Sequence, residues 1–146
     1  MPRRVAKSIV ITLAEDLAAS TTHSFGVLYR VDEHDCLAFA GALRAAGMDV
    51  TFINWNDIDA ERRSIKRAFL SHRNEYAYDV PCESFDCAFL YKMEGFLRDQ
   101  ERFFAMVSMF EACCKTVINS PATIHHNIDK HYLFELAERG IPVIPS

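Results

Sequence analysis

Polar and charged side chains follow two of the apolar runs in the sequence. Lys92 and Glu94 come directly after the run 85–91, FDCAFLY, while Asn119 ends the run TVIN and Ser120 follows it. Ligands of open α/β sheets bind at the carboxyl ends of strands, so these four residues are candidate substrate contacts. Two simpler interpretations stay open: charges at such positions often meet only water, and Asn119-Ser120-Pro121 is typical of a strand end followed by a helix cap.

The segment 125–131 contains a cluster of basic and histidine side chains. Lys130 falls in the first turn of a predicted helix, where the helix dipole disfavours a cation unless an anion such as a nucleotide phosphate approaches it. His126 and His131 do not share a helix face, and no cysteine or carboxylate pattern completes a metal site with them or with His125. We therefore predict surface histidines and no metal site here.

Thiol chemistry is less clearly indicated. The five cysteines are odd in number, have no CxxC spacing, and include an adjacent pair, Cys113–Cys114, whose disulfide would be strained. We expect Cys36 and Cys113 to be core residues. No apolar run is long enough for a signal-peptide core or a transmembrane helix, so a cytoplasmic protein with reduced thiols is expected.

Composition excludes several classes of function. The 146 residues predict one domain, and 16 Lys and Arg against 20 Asp and Glu give a net charge of −4, which disfavours binding to nucleic acid. The basic residues between 62 and 67 are predicted to form a solvated helix face. With five glycines and neither a dinucleotide fingerprint nor a phosphate loop, a nicotinamide-binding domain is disfavoured.

Hydrophobic patterning predicts the elements that position these residues. Buried strands are expected at 8–13, 50–55, 85–91 and 116–119, and a fifth strand is expected to begin at 141–144. Helices are expected at 35–46, 57–72, 99–114 and 128–139, with a further helix starting at Pro121. Segment 73–85 is predicted to be irregular, and 14–31 stays open. This order predicts an α/β fold with an open, mostly parallel, Rossmann-like sheet flanked by helices.

The last thirty residues, VINSPATIHHNIDKHYLFELAERGIPVIPS, resemble the junction of ATP-grasp ligases, especially the glutathione-synthetase-like branch. The shared pattern is a strand leading into Ser-Pro, a short helix, an Asn-x-x-Lys segment, an amphipathic helix, a Gly and a Pro-containing strand. Segments 35–47 and 50–57 resemble the early helix and strand of that family. At 91–96 the sequence departs from the family pattern, since lysine stands in place of arginine and the Trp-Asp-Tyr-like element is missing.

The resemblance implies that residues 1–140 form a pre-ATP-grasp domain and that 141–146 begin the connection to a catalytic domain. That family joins a carboxylate to an amine through an acyl phosphate, using ATP and Mg²⁺ held mainly by the downstream domain. Lys130 matches a lysine that reaches toward the nucleotide phosphates, whereas Lys92 and Glu94 match only the position of substrate contacts. No catalytic residue is assigned, and the 146-residue chain alone is expected to be inactive.

The expected partners are ATP and a small carboxylate or amine substrate, with a homodimer left open and neither nucleic acid nor membrane expected. The alternative is a free-standing Rossmann-like module that binds a ligand or partner without catalysis. A flavodoxin-like or receiver-like domain is less favoured, because only Glu15 and Asp16 follow the first strand as an acidic pair.

Overall fold

The computed structural model describes residues 7–13, 34–91, 99–128 and 130–144, and these form an α/β fold. The described strands are β1 (Ser8–Leu13), β2 (Asp49–Asn54), β3 (Ile58–Asp59), β4 (Ser64–Leu70), β5 (Glu75–Pro81), β6 (Cys87–Phe89) and β7 (Thr116–Ile118). The described helices are α1 (His34–Ala45), α2 (Gln100–Cys113), α3 (Pro121–Ile128) and α4 (Tyr132–Glu138). The prediction of an α/β fold is thus confirmed.

Four strands in the order β2-β1-β6-β7 form the parallel half of the sheet. The run SIVITL of β1 is rich in β-branched residues, which suit a strand buried on both faces. β1 and β2 flank α1 in the chain, and β6 and β7 flank α2, as expected for parallel strands joined by helical crossovers. The predicted strands at 8–13, 50–55, 85–91 and 116–119 are confirmed, the third as the shorter β6.

The other half of the sheet is antiparallel, so the prediction of a mostly parallel sheet is wrong. β2 and β3 pair with β4 at different points along it, and β5 pairs with β4 from Ser64 to Leu70. The helix expected at 57–72 is instead a short 3₁₀ turn followed by β3 and β4, and the irregular segment expected at 73–85 contains β5. The predicted solvated helix face is also wrong, since Arg67 lies in β4 and pairs with Asp57 at 3.8 Å.

Polar side chains and glycines define the helix ends that the sequence predicts. The Asp99 carboxylate accepts a hydrogen bond from the Arg102 amide at 3.0 Å and caps α2. Ser120 caps α3 in the same way, because its Oγ accepts from the Thr123 amide at 3.2 Å. Gly47, with φ 86°, follows α1 in the left-handed conformation that ends many helices.

The core lies in two layers, one on each face of the sheet. Val10 and Ile53 face the layer formed with α2, whereas Ile9 and Phe52 face the layer formed with α1. The apolar stripe predicted on α2 is confirmed, since it fills the first layer. Its buried residues are Phe103, Met106, Val107, Met109 and Phe110.

At the amino-terminal edge of the parallel strands, Asp86 joins β1 to β6. Its Oδ2 accepts hydrogen bonds from the amides of Lys7 and Ser8, at 2.9 and 3.2 Å. The Lys7 amide is the largest cause that lowers the pKa of this carboxyl, and Ser8 and the charge of Lys115 lower it further. The carboxylate therefore stabilises the register of these two strands.

The chain after α3 is largely exposed. α4 has no buried residue, and it begins at Tyr132 and not at 128 as expected. Residues 141–144 form no strand, so the prediction of a fifth strand there is wrong. Three large apolar side chains lie open to solvent in this part: Phe134 (69%), Ile141 (47%) and Ile144 (88%).

Candidate functional site at the carboxyl edge

The carboxyl ends of β1, β6 and β7 are joined by side-chain hydrogen bonds. The Oγ1 of the fully buried Thr12 accepts from the Tyr91 amide at 3.0 Å, which links the end of β1 to the end of β6. The Nδ2 of Asn119 donates to the Leu90 carbonyl at 2.9 Å, which links β7 to β6. These two hydrogen bonds hold the carboxyl ends of β1, β6 and β7 in a fixed arrangement.

A cavity of about 290 Å³ opens beside these strand ends. It lies between the end of β6 and β7 on one side and helices α2 and α3 on the other. Its lining residues within the described part of the chain are Leu90, Phe103, Asn119, Thr123, Ile124, Asn127 and Ile128. Mostly apolar walls with a few amide and hydroxyl groups are typical of small-ligand sites, which makes this cavity the candidate functional site.

Of the residues predicted to bind substrate, Asn119 lines the cavity. Its backbone is left-handed, with φ 54°, a conformation that asparagine tolerates better than most residues. Ser120 does not line it, because its hydroxyl caps α3 and lies 2.9 Å from the Thr123 Oγ1. Lys92 and Glu94 fall outside the described residues.

Lys130 is exposed and lies in the turn between α3 and α4, where its carbonyl accepts from the Leu133 amide at 3.0 Å. Its Nζ lies 5.9 Å from the centre of the Tyr132 ring. The sequence predicts Lys130 in the first turn of a helix, but the structure places it before α4. Lys130 does not line the cavity, although Asn127, three residues earlier, does.

Sequence reasoning missed a second polar group at this edge. The guanidinium of Arg102 donates to the carbonyl and to the Oδ1 of Asn56, at 2.6 and 3.2 Å. It also lies 5.3 Å from the centre of the Trp55 ring. Arg102 thus joins the start of α2 to the turn after β2, and no motif around it in the sequence indicates this role.

Among the residues that the structure describes, the cavity walls carry amide and hydroxyl oxygens but no carboxylate, lysine or arginine side chain, whereas Mg²⁺ sites in nucleotide-binding enzymes use carboxylates and phosphates. Within the described ranges, no three or more His, Cys, Asp and Glu side chains are grouped to hold a metal ion. The described part of the wall fits a small, mostly apolar or uncharged group.

No known family model matches the chain, and no curated protein matches it at a significant level. In the part of the chain that the structure describes, none of the helices combines the length and the apolar character needed to cross a membrane.

Proposed function

We propose that the chain is the substrate-side, pre-ATP-grasp domain of an ATP-dependent carboxylate–amine ligase. The cavity at the carboxyl edge of the parallel strands is the observation that carries this proposal. It lies where ligands of parallel α/β sheets bind, and its wall includes Asn119 and Asn127 of the segment that resembles the ligase junction. In this proposal, the four parallel strands β2-β1-β6-β7 form the part of the domain that positions the substrate.

The exposed end of the described chain supports the proposal independently. Phe134 and Ile144 are 69% and 88% exposed, and neither is covered by the α/β body. Apolar side chains concentrated at one end of a domain are typical of a surface that another domain or subunit covers. In the proposed ligase, the catalytic domain covers this surface and brings the nucleotide to the neighbouring cavity.

Within this arrangement, the chain's own residues bind and position substrate. The apolar walls of the cavity take the uncharged part of the acid or amine, and the amides of Asn119 and Asn127 hydrogen-bond its polar end. The acyl phosphate that the ligase forms needs cationic groups around the phosphates. The described part of the cavity wall carries no such group, and in this proposal ATP and Mg²⁺ are held mainly by the catalytic domain, with Lys130 reaching toward the phosphates from the turn before α4.

Phosphate release by the complete gene product tests the proposal. We expect release that requires ATP, Mg²⁺, a carboxylate and an amine together, and we expect Lys130→Ala to raise the KM for ATP. Lys115→Ala is the matched control, because Lys115 is also exposed but lies at the opposite end of β7. Phosphate release that needs no carboxylate would remove the ligase assignment, and equal KM values in both variants would remove the role of Lys130.

The exposed apolar residues also favour a second candidate, a binding module whose surface is covered by a separate protein or by a second copy of the chain. Size-exclusion chromatography of the chain with Phe134→Ser distinguishes it. A stable dimer of the unmodified chain that dissociates in the variant, without any ATP-dependent activity of the gene product, would favour the module over the ligase domain.

A further inference from the structure

The described wall of the cavity divides into an apolar floor and a polar rim. Leu90 and Phe103 are buried and form the floor. Asn119, Thr123 and Asn127 are exposed and form the rim. A ligand can therefore bury an apolar body against the floor while its polar end stays partly hydrated at the rim, which avoids the cost of burying a charge.

The hydrogen bond of Asn119 fixes which atoms of its amide remain for a ligand. The carbonyl of Leu90 can only accept, so the Nδ2 of Asn119, 2.9 Å away, must be the atom that faces it. One hydrogen of this nitrogen is thereby used, whereas within the described ranges no group donates to the Oδ1. The amide therefore offers a ligand more capacity to accept hydrogen bonds than to donate them.

The carboxyl-terminal end of α3 gives the cavity the same polarity. Asn127 and Ile128, the last two residues of this helix, line the cavity. The carbonyls of a last helical turn carry a partial negative charge, which favours a cation or an N–H donor near them. Because the described wall contains no carboxylate, lysine or arginine, these oxygens set its electrostatic preference.

The basic side chains of the neighbouring segment lie outside the described wall. The His125 ring stacks on the Phe104 ring, with 4.4 Å between the centroids. The His126 ring and the Lys130 Nζ lie 5.7 and 5.9 Å from the centre of the Tyr132 ring. None of these three basic residues is among the described lining residues, so none of them occupies the place of a ligand at the rim.

We propose that the cavity binds a primary amine in its ammonium form, with the apolar body of the amine on the floor and the ammonium at the rim. The Oδ1 of Asn119 accepts one of the ammonium hydrogens. A carboxylate in the same place would meet the lone pairs of this oxygen and the negative end of α3, without a described cation to compensate. In calling this ligand a substrate, the inference rests on the proposed function: the cavity then holds the amine and not the acid.

Chemical-shift mapping by NMR tests the proposal. The isotopically labelled 146-residue chain is titrated with benzylamine, benzyl alcohol and benzoate, which share a ring but differ in charge and in hydrogen-bond donors. We expect benzylamine to shift the cross-peaks of the lining residues and to bind about tenfold more tightly than benzoate, as one hydrogen bond to a charged group allows. We expect benzyl alcohol to bind with intermediate affinity. The net charge of −4 attracts any ammonium weakly, so only shifts at the cavity count as binding.

A glycine variant tests the acceptor. Asn119→Gly removes the Oδ1 and should weaken benzylamine binding by about tenfold while changing benzoate binding little. Asn74→Gly is the matched control, because Asn74 also has a positive φ, 53°, but lies in the turn between β4 and β5. The titrations of the unmodified chain decide the class of ligand even if Asn119→Gly fails to fold.

Several results would overturn the proposal. They are benzoate binding as tight as that of benzylamine, benzylamine shifts only outside the cavity, no binding of benzylamine, and equal benzylamine affinity in the two glycine variants. The titration needs neither ATP nor the catalytic domain, so its result is separable from that of the phosphate-release assay. An amine preference without ATP-dependent phosphate release would keep the amine site and remove the ligase. A benzoate preference with amine-dependent phosphate release would keep the ligase and overturn the amine site.

Discussion

Asn119 offers the sharpest test of the geometry at the carboxyl edge, because its side chain and its backbone make separable contributions to stability. The Nδ2 donates to the Leu90 carbonyl at 2.9 Å, and a net hydrogen bond of this kind contributes about 1 kcal/mol. The backbone has φ 54°, and an alanine held in the left-handed region costs roughly 1.5 kcal/mol. Asn119→Ala should therefore lower the free energy of unfolding by about 2.5 kcal/mol.

Asn119→Gly separates the two effects. The glycine variant also loses the hydrogen bond, but glycine adopts a positive φ without strain. Its greater flexibility in the unfolded chain lowers the free energy of unfolding by only about 0.5 kcal/mol more. We therefore expect a loss of about 1.5 kcal/mol for glycine, so that glycine is the milder substitution by about 1 kcal/mol. For a chain of this length that difference corresponds to roughly 3 °C in Tm.

Urea denaturation followed by tryptophan fluorescence measures these differences. Trp55 is the single tryptophan of the sequence and is 2% exposed, so its emission reports loss of the core. Asn127→Ala is the matched control, since this asparagine lines the same cavity from α3, where alanine is a good helix former. If Asn119→Gly proved as destabilising as Asn119→Ala, the left-handed backbone argument would be refuted. If neither Asn119 variant were less stable than Asn127→Ala, the contribution of the Asn119–Leu90 hydrogen bond would be refuted as well.

Three further predictions concern the body of the fold. Phe110→Ala removes a fully buried ring and should lower the free energy of unfolding by about 3–5 kcal/mol. Phe134→Ala, on the exposed helix α4, should change this free energy by no more than about 0.5 kcal/mol. Urea denaturation measures both changes. The lowered pKa of Asp86 means that its carboxylate stabilises the fold above the unfolded-state pKa of about 4 and that this stability is lost as pH falls through the folded-state pKa. The difference in unfolding free energy between the unmodified chain and Asp86→Asn should therefore be constant at neutral pH and become smaller below about pH 4. A difference that grows in acid would contradict the lowered pKa of Asp86. The hydroxyl of Tyr76 is buried without a hydrogen-bond partner in the described structure, so Tyr76→Phe should leave Tm unchanged or raise stability by up to about 1 kcal/mol, and a clear loss would show a missed partner.

The parallel half of the sheet could be predicted from the sequence because its signals agree with one another. The β-branched run of β1 is followed by a helix that ends at a glycine, and β2 follows after a short connection. On α2, apolar residues recur at helical spacing, and Asp99 provides the cap. Local preference and burial favour the same structure at each of these positions.

The antiparallel half could not be predicted because its pattern is ambiguous. Ile65 and Ala68 are three residues apart, as on a helix face, and Phe69 beside them is also buried. Neighbouring residues of β4 belong to different core layers, Ala68 to the layer with α2 and Phe69 to the layer with α1, so the polar–apolar alternation of a strand is lost. The turns contain no glycine, and the left-handed positions are occupied by Arg63 and Asn74, of which only the asparagine is a turn signal.

The candidate site was only partly predictable for a similar reason. Asn119 was indicated because it ends a strand, and strand ends are easily read from an apolar run. Arg102 depends on the approach of the start of α2 to the turn after β2, a contact between positions 46 residues apart that no local pattern reveals.

Helix α2 spans the sheet from its carboxyl edge to its amino-terminal edge. It begins at the carboxyl edge, where Arg102 holds it to Asn56 and Phe103 lines the cavity, and it ends at Cys113. Its central residues are buried in the core, so the helix moves on the sheet as a unit or hardly at all.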